Sequence, residues 1–207
     1  MANKKIVNFI VDESGSMSSC RSQVISGFNE FVGDLKREAD LEILLSLTKF
    51  NTTPTVVYAA KRVQNAPDLD VTNYVPNGGT ALLDAVGITV REIEHKVREE
   101  SDKPTVLCVI MTDGEENASQ EFQAEQIRDL IQSKEAEGNW TFVYLGANQD
   151  AWKAGAALGV QPQNTAAYKT AETQAAYTSV SNSSSQLFRS GQTQTRSFFP
   201  PDKPPKP

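Results

Sequence analysis

Apolar residues occupy almost every position of 5–11, KIVNFIV, and the run stops at Asp12. Such a run suits a strand buried on both faces, as in a parallel sheet. The small, polar stretch 13–19 reads as a loop. From about 20 to 39, Val24, Phe28, Phe31, Val32 and Leu35 recur at helical spacing. LEILLSLTKFN (41–51) and TVVYAA (55–60) read as two strands joined by the turn Thr52-Thr53-Pro54, a hairpin that makes one of them antiparallel.

Residues 61–79 are irregular and rich in turn formers. A helix is predicted from about Ala81 to Glu100, with Leu82, Val86, Val90, Ile93 and Val97 on one face. PTVLCVIMT (104–112) is the clearest buried strand, followed by a helix from Glu121 to about Glu137 and a strand at 141–146. Asp150 reads as the N-cap of a short helix ending at Gly159. Residues 164–169 suit a short edge strand, and 171–188 an amphipathic helix. Alternating strands and helices predict a Rossmann-like, three-layer α/β/α fold with a mostly parallel central sheet and one antiparallel edge strand. One domain is expected over 1–189. The polar, Pro-rich segment 190–207 is expected to be disordered or extended, with Phe198-Phe199 read as part of a disordered end ahead of the alternative, a short linear binding motif.

Composition narrows the function classes. The 207 residues carry a net charge of −6, which argues against a general affinity for nucleic acid or anionic membrane. No apolar stretch approaches the roughly 20 residues that span a bilayer. The basic start Met1-Ala2-Asn3-Lys4-Lys5 precedes an apolar run too short for a signal peptide, so a cytoplasmic location is expected. Cys20 and Cys108 share no metal-ligand spacing, and Cys108 reads as a core hydrophobe. Thr80 alone reads as a helix N-cap, Asp84 as structural, and the lone His95 as solvated.

Ligands of such sheets bind outside the carboxyl ends of the strands, where strand order reverses. There the chain places Asp12, Ser14 and Ser16, spaced two apart around Gly15, and Asp113, followed by Gly114. Crowded carboxylates favour a cation. Carboxylates and hydroxyls with no His or Cys nearby describe a hard oxygen site for Mg²⁺, with Mn²⁺ or Ca²⁺ as alternatives.

Asp12-x-Ser14-x-Ser16-Met17, then Gly78-Gly79-Thr80-Ala81-Leu82, then Met111-Thr112-Asp113-Gly114 resemble the three motifs of the von Willebrand factor type A domain. They match its metal-ion-dependent adhesion site in order and at similar spacing, within a resemblance covering about residues 5–188. The resemblance implies that Ser14 and Ser16 bind the metal through their hydroxyls. Asp12 and Asp113 would lie in or just outside the first coordination shell, and Thr80 would approach directly or through water. An Asp or Glu of a partner protein would take the remaining position. By the same resemblance, intracellular single-domain members work beside AAA+ ATPases or within stress-response and mobile-element systems, and no residue here selects among these.

Glu13 departs from the family pattern and either points away from the metal or reduces the site's appetite for an acidic ligand. Glu115 and Glu116 add negative charge at the same edge, which weighs against the partner carboxylate more than against the metal. Asn148 and Asp150 are candidates to border the site. The competing expectation is a Mg²⁺-dependent phosphatase or phosphotransferase with Asp12 as nucleophile. Ser14 stands where such enzymes want a second carboxylate, and no Gly-x-x-x-x-Gly-Lys loop supports nucleotide binding. A non-enzymatic interaction module is the leading expectation.

Overall fold

Alternation along the first strand decides the layering. In β1 (Lys5–Asp12) the side chains of Val7, Phe9 and Val11 enter one buried core, and those of Ile6 and Ile10 enter another on the opposite face. A strand apolar on both faces needs cover on both. The computed structural model describes residues 4–100, 102–147 and 150–200 and supplies that cover. Asn148 and residues 1–3 and 201–207 lie outside the described residues, so the reading of Asn148 as a border of the site goes untested.

The remaining strands are β2 (Ile43–Phe50), β3 (Pro54–Arg62), β4 (Thr105–Thr112), β5 (Trp140–Ala147) and β6 (Thr165–Tyr168). The helices are α1 (Arg21–Arg37), α2 (Leu82–Arg98), α3 (Ala124–Ala136), α4 (Ala151–Ala157) and α5 (Thr173–Arg189). The sheet runs β3-β2-β1-β4-β5-β6, parallel except for the β2–β3 hairpin at one edge. Helices α1 and α5 cover one face, where the Phe9 ring stacks on Tyr177 with 5.4 Å between centroids. Helices α2 and α3 cover the other with Val86, Val90, Ile127 and Ile131. The predicted architecture holds. Strand order reverses between β1 and β4, so the crevice opens at the ends of these two strands.

Two local features were not legible. Ala60 in β3 sits at φ 48°, beside register shifts against β2, and its N–H donates to Ser46 Oγ at 2.9 Å. A bulge of this kind interrupts the outer strand of the sheet. The left-handed backbone costs an L-residue about 1–2 kcal/mol, against an entropic cost of about 0.5–1 kcal/mol for glycine. Ala60→Gly is therefore expected to raise stability by roughly 0.5–1 kcal/mol in urea unfolding.

The second feature corrects the expectation of a disordered end. Within the described part of 190–207, Phe198 and Phe199 are 3% and 4% exposed and belong to the core on the α1/α5 side. Their rings meet edge to face at 5.1 Å. Hydrogen bonds draw the segment across the amino ends of β5 and β6. Thr195 N donates to Thr141 Oγ1 at 3.0 Å, Phe198 N to Asn164 Oδ1 at 2.8 Å, and Phe199 N to the Gln163 carbonyl at 3.2 Å. Composition pointed to disorder because the polar residues between Ser190 and Ser197 hide two large apolar anchors.

Candidate metal centre

The loop after β1 turns sharply because its own side chains bind its backbone. Asp12 is buried, and its Oδ1 accepts the Ser14 N–H at 2.6 Å. Its Oδ2 accepts the Thr112 hydroxyl at 2.5 Å, tying the ends of β1 and β4 together. Tyr74 buttresses the same residue, donating its hydroxyl to the Asp12 carbonyl at 2.5 Å. Both oxygens of Asp12 are thus engaged within the fold, an arrangement unlike that of a free carboxylate nucleophile.

Ser14 Oγ lies 3.1 Å from Ser16 Oγ, and Ser16 donates to Asp113 Oδ1 at 2.5 Å. The loop before α2 reaches the loop after β1 through Gly15 N, which donates to the Gly78 carbonyl at 3.1 Å. Gly78 holds φ 71°, a conformation that glycine adopts without strain. Gly114 reports the convergence directly. A methyl group on it would stand 3.1 Å from Thr80 Oγ1, 3.7 Å from Ser16 Oγ and 3.8 Å from Asp12 Oδ2. All five residues singled out in the sequence, Asp12, Ser14, Ser16, Thr80 and Asp113, therefore gather at the carboxyl edge of β1 and β4.

The set comprises three hydroxyls and two carboxylates, the chemistry of a hard divalent cation. Among the described residues no three His, Cys, Asp or Glu gather as a metal-binding group, and hydroxyls carry most of this site. Burial is graded: Asp12, Ser14 and Thr80 form a buried floor, while Ser16 is exposed and Asp113 partly so. Desolvation raises the carboxyl pKa of both Asp12 and Asp113 above the ordinary range, against the lowering effect of their hydrogen bonds. The fold holds negative charge here at a cost that a cation would offset. Burial pushes the Cys20 thiol up to about 11, which leaves it a poor thiolate ligand.

The residues that sequence reading set against an acidic ligand turn elsewhere. Glu13 accepts from Lys49 Nζ at 2.9 and 3.1 Å and from Val75 N at 2.6 Å, so its charge is paired outside the cluster. Glu116 accepts from Leu83 N at 3.0 Å and caps the start of α2. Thr80 does not perform that role, since the N-cap of α2 is Ala81 without a side-chain bond. Glu115 is exposed, as is His95. Asp150 caps α4 through Lys153 N at 3.2 Å. Asp84 is structural, accepting the N–H groups of Gln120, Glu121 and Phe122 at 2.8–3.0 Å and pinning the loop after β4 onto α2.

Sequence reading passed over Asn117. Its Oδ1 accepts Thr80 N at 2.9 Å, and its own N–H donates to the Thr80 carbonyl at 3.1 Å. Both backbone groups of Thr80 are thereby fixed. The only sequence signal was a polar residue in the run after Gly114, too common to single out. Loss of a residue that orients a ligand typically costs 10–100-fold in metal affinity. Asn117→Ala is expected to weaken Mn²⁺ binding by about that factor, and Asn117→Asp, which keeps the acceptor, by less. A fluorescence-monitored Mn²⁺ titration of the two variants checks this.

A sequence profile of the von Willebrand factor type A domain matches residues 7–183. No curated protein sequence matches the chain. Solved structures share the fold at low identity. A von Willebrand factor type A protein from Catenulispora acidiphila is 17% identical with a TM-score of 0.58, the match covering 89% of this chain and 43% of that one. Proximal thread matrix protein 1 from the mussel byssus, described with a zinc-occupied MIDAS motif, is 13% identical with a TM-score of 0.60, covering 86% and 47%. The manganese-loaded TRAP protein of Plasmodium vivax is 18% identical with a TM-score of 0.58, covering 84% and 71%. The chain thus spans less than half the length of the first two. Among the described residues no helix is long and apolar enough to cross a membrane. Profile and fold agree with the three loop motifs: the chain belongs to the von Willebrand factor type A domain family.

Proposed function

We propose that the protein is a cation-dependent interaction module that binds a divalent metal, Mg²⁺ foremost, and through it an Asp or Glu of a partner protein. Family membership supports the coarser half, since these domains generally serve in adhesion and interaction rather than catalysis. The observation that carries the finer half is the gathering of Asp12, Ser16 and Thr80 oxygens around Gly114, with Asp113 bonded to Ser16. Ser14, Ser16 and Thr80 would hold the cation by neutral oxygens, with Asp12 and Asp113 supplying charge in or beside the shell. Bound there, the metal would supply an electrophilic centre for an incoming carboxylate. The zinc and manganese described for two structural relatives favour a divalent ion at this edge.

Three features of the chain's own residues suit the partner's approach. Ser16 and Asp113 leave the outer side of the site open to solvent. Glu13 is neutralised by Lys49, and Glu116 is spent on backbone donors, so the local field opposes an acidic ligand less than residue counting suggests. The metal prefers oxygen ligands and keeps several waters, which leaves positions for exchange. A pull-down with and without chelator tests the reading: partners that persist in EDTA, or that bind Asp113→Ala equally, would defeat it.

Acid exposes the charge dependence. Metal binding needs Asp12 and Asp113 ionised, and both titrate above the ordinary carboxylate range. Without metal, the folded state takes up protons before the unfolded chain does, so acidification from neutral pH adds stability until the unfolded values are reached. With Mg²⁺ the same acidification removes the ion's contribution. The Tm difference between Mg²⁺ and EDTA samples is therefore expected to narrow as pH falls from 7 toward about 4, the ordinary carboxylate value, as thermal melts across that range would show.

A further inference from the structure

We propose that the groove between β3 and the 67–77 loop receives a large apolar side chain from the same partner segment whose carboxylate reaches the metal. The inference rests on the proposed function and adds the second half of what is recognised: an acidic residue with an apolar neighbour.

The groove encloses about 510 Å³, within the ~300–1,000 Å³ of ordinary ligand sites. Its floor is apolar, with Leu47 and Leu69 buried, and its rim carries Val57 and Val75 at 43% and 46% exposure. Together with Val71, these are three of the four large hydrophobics that stand exposed among the described residues. Scattered exposed apolar residues need no explanation, but a collection beside one groove marks an interaction surface. The Tyr58 ring lines the same groove and adds to its apolar wall.

Position joins the groove to the metal edge. Glu13, which walls the groove, stands between Asp12 and Ser14, and Asn77, also in the wall, directly precedes Gly78. Asn77 N donates to the Glu13 carbonyl at 2.9 Å, fastening the two walls together. Because Glu13 and Asn77 belong to both the groove wall and the loops of the metal edge, a partner segment that runs outward from the metal-bound carboxylate passes the groove. Charge selects the occupant. The Glu13–Lys49 pair cancels within the wall, and Asp68 faces Lys36 at 3.9 Å, so the interior offers no unpaired cation to a second acid. The apolar floor and rim suit an apolar side chain better than a second acid.

The test is selection from a random displayed peptide library on the Mg²⁺-loaded full chain, with elution by EDTA. Enriched peptides are expected to carry Asp or Glu with Leu, Ile, Phe, Tyr or Trp close by in sequence. The double variant V57D/V75D changes two exposed side chains; it is expected to weaken the best such peptide roughly tenfold or more while leaving Mg²⁺ affinity unchanged. Acidic peptides without an apolar preference, or binding indifferent to V57D/V75D, would overturn the groove and leave the metal reading standing. Peptides that lack an acid and resist EDTA would overturn both. If nothing is enriched while Mg²⁺ binding is measurable, the groove proposal fails alone.

Discussion

Phe198→Ala is expected to lower stability by about 3–5 kcal/mol, the usual cost of emptying a buried phenylalanine site. For a domain of this size that corresponds to a fall in Tm on the order of 10 °C. The side chain fills the core near α5 and stacks edge to face on Phe199, and its N–H is bound to Asn164. Phe199→Ala should act similarly. The pair together should approach the whole stability of a typical domain, about 5–15 kcal/mol. Asn164→Ala should cost less, on the order of 1–3 kcal/mol, because it leaves donors rather than a cavity. Circular dichroism melts decide the matter. An unchanged Tm for Phe198→Ala would restore the composition-based expectation that this segment is not part of the domain.

Asp12→Asn should separate two quantities that usually move together. The substitution keeps size and one acceptor but removes a buried charge whose protonated form the fold favours. Without metal, at neutral pH, the variant is expected to be more stable than the parent chain. With Mg²⁺ at a hundredfold excess over its Kd, the parent should gain about 2.7 kcal/mol and the variant almost nothing. Stability sacrificed for charge is common at functional sites. A variant less stable than the parent in EDTA, yet still stabilised by Mg²⁺, would mean that Asp12 serves the fold rather than the ion.

Much of the architecture could be read in the chain because burial on both faces writes itself as unbroken apolar runs. The strands at 5–11 and 104–112 were identified from such runs, and the β2–β3 hairpin from a turn too short for a crossover. The gathering of the candidate residues was legible for a related reason: Asp12 and Asp113 stand where those runs stop, and topology brings strand ends together. What escaped depends on contacts distant in sequence. Glu13 looked like a liability until its partner Lys49, in the next strand, came into view. Asn117 grips Thr80 from a loop whose composition resembles any other loop. Phe198 and Phe199 are anchors in a polar tail, and no periodic pattern distinguishes an anchor from an accidental pair. Ala60 was unreadable because alanine carries no sign of the left-handed backbone it adopts.

Isothermal titration of the full chain with MgCl₂, beside Asp113→Ala and Asp12→Asn, tests the metal centre most directly. The expected result is one saturable site on the parent chain, displaced by Mn²⁺, and absent from both variants. A parent chain that binds neither ion, or variants that bind as the parent does, would contradict the assignment of Asp12, Ser14, Ser16, Thr80 and Asp113 as its ligands.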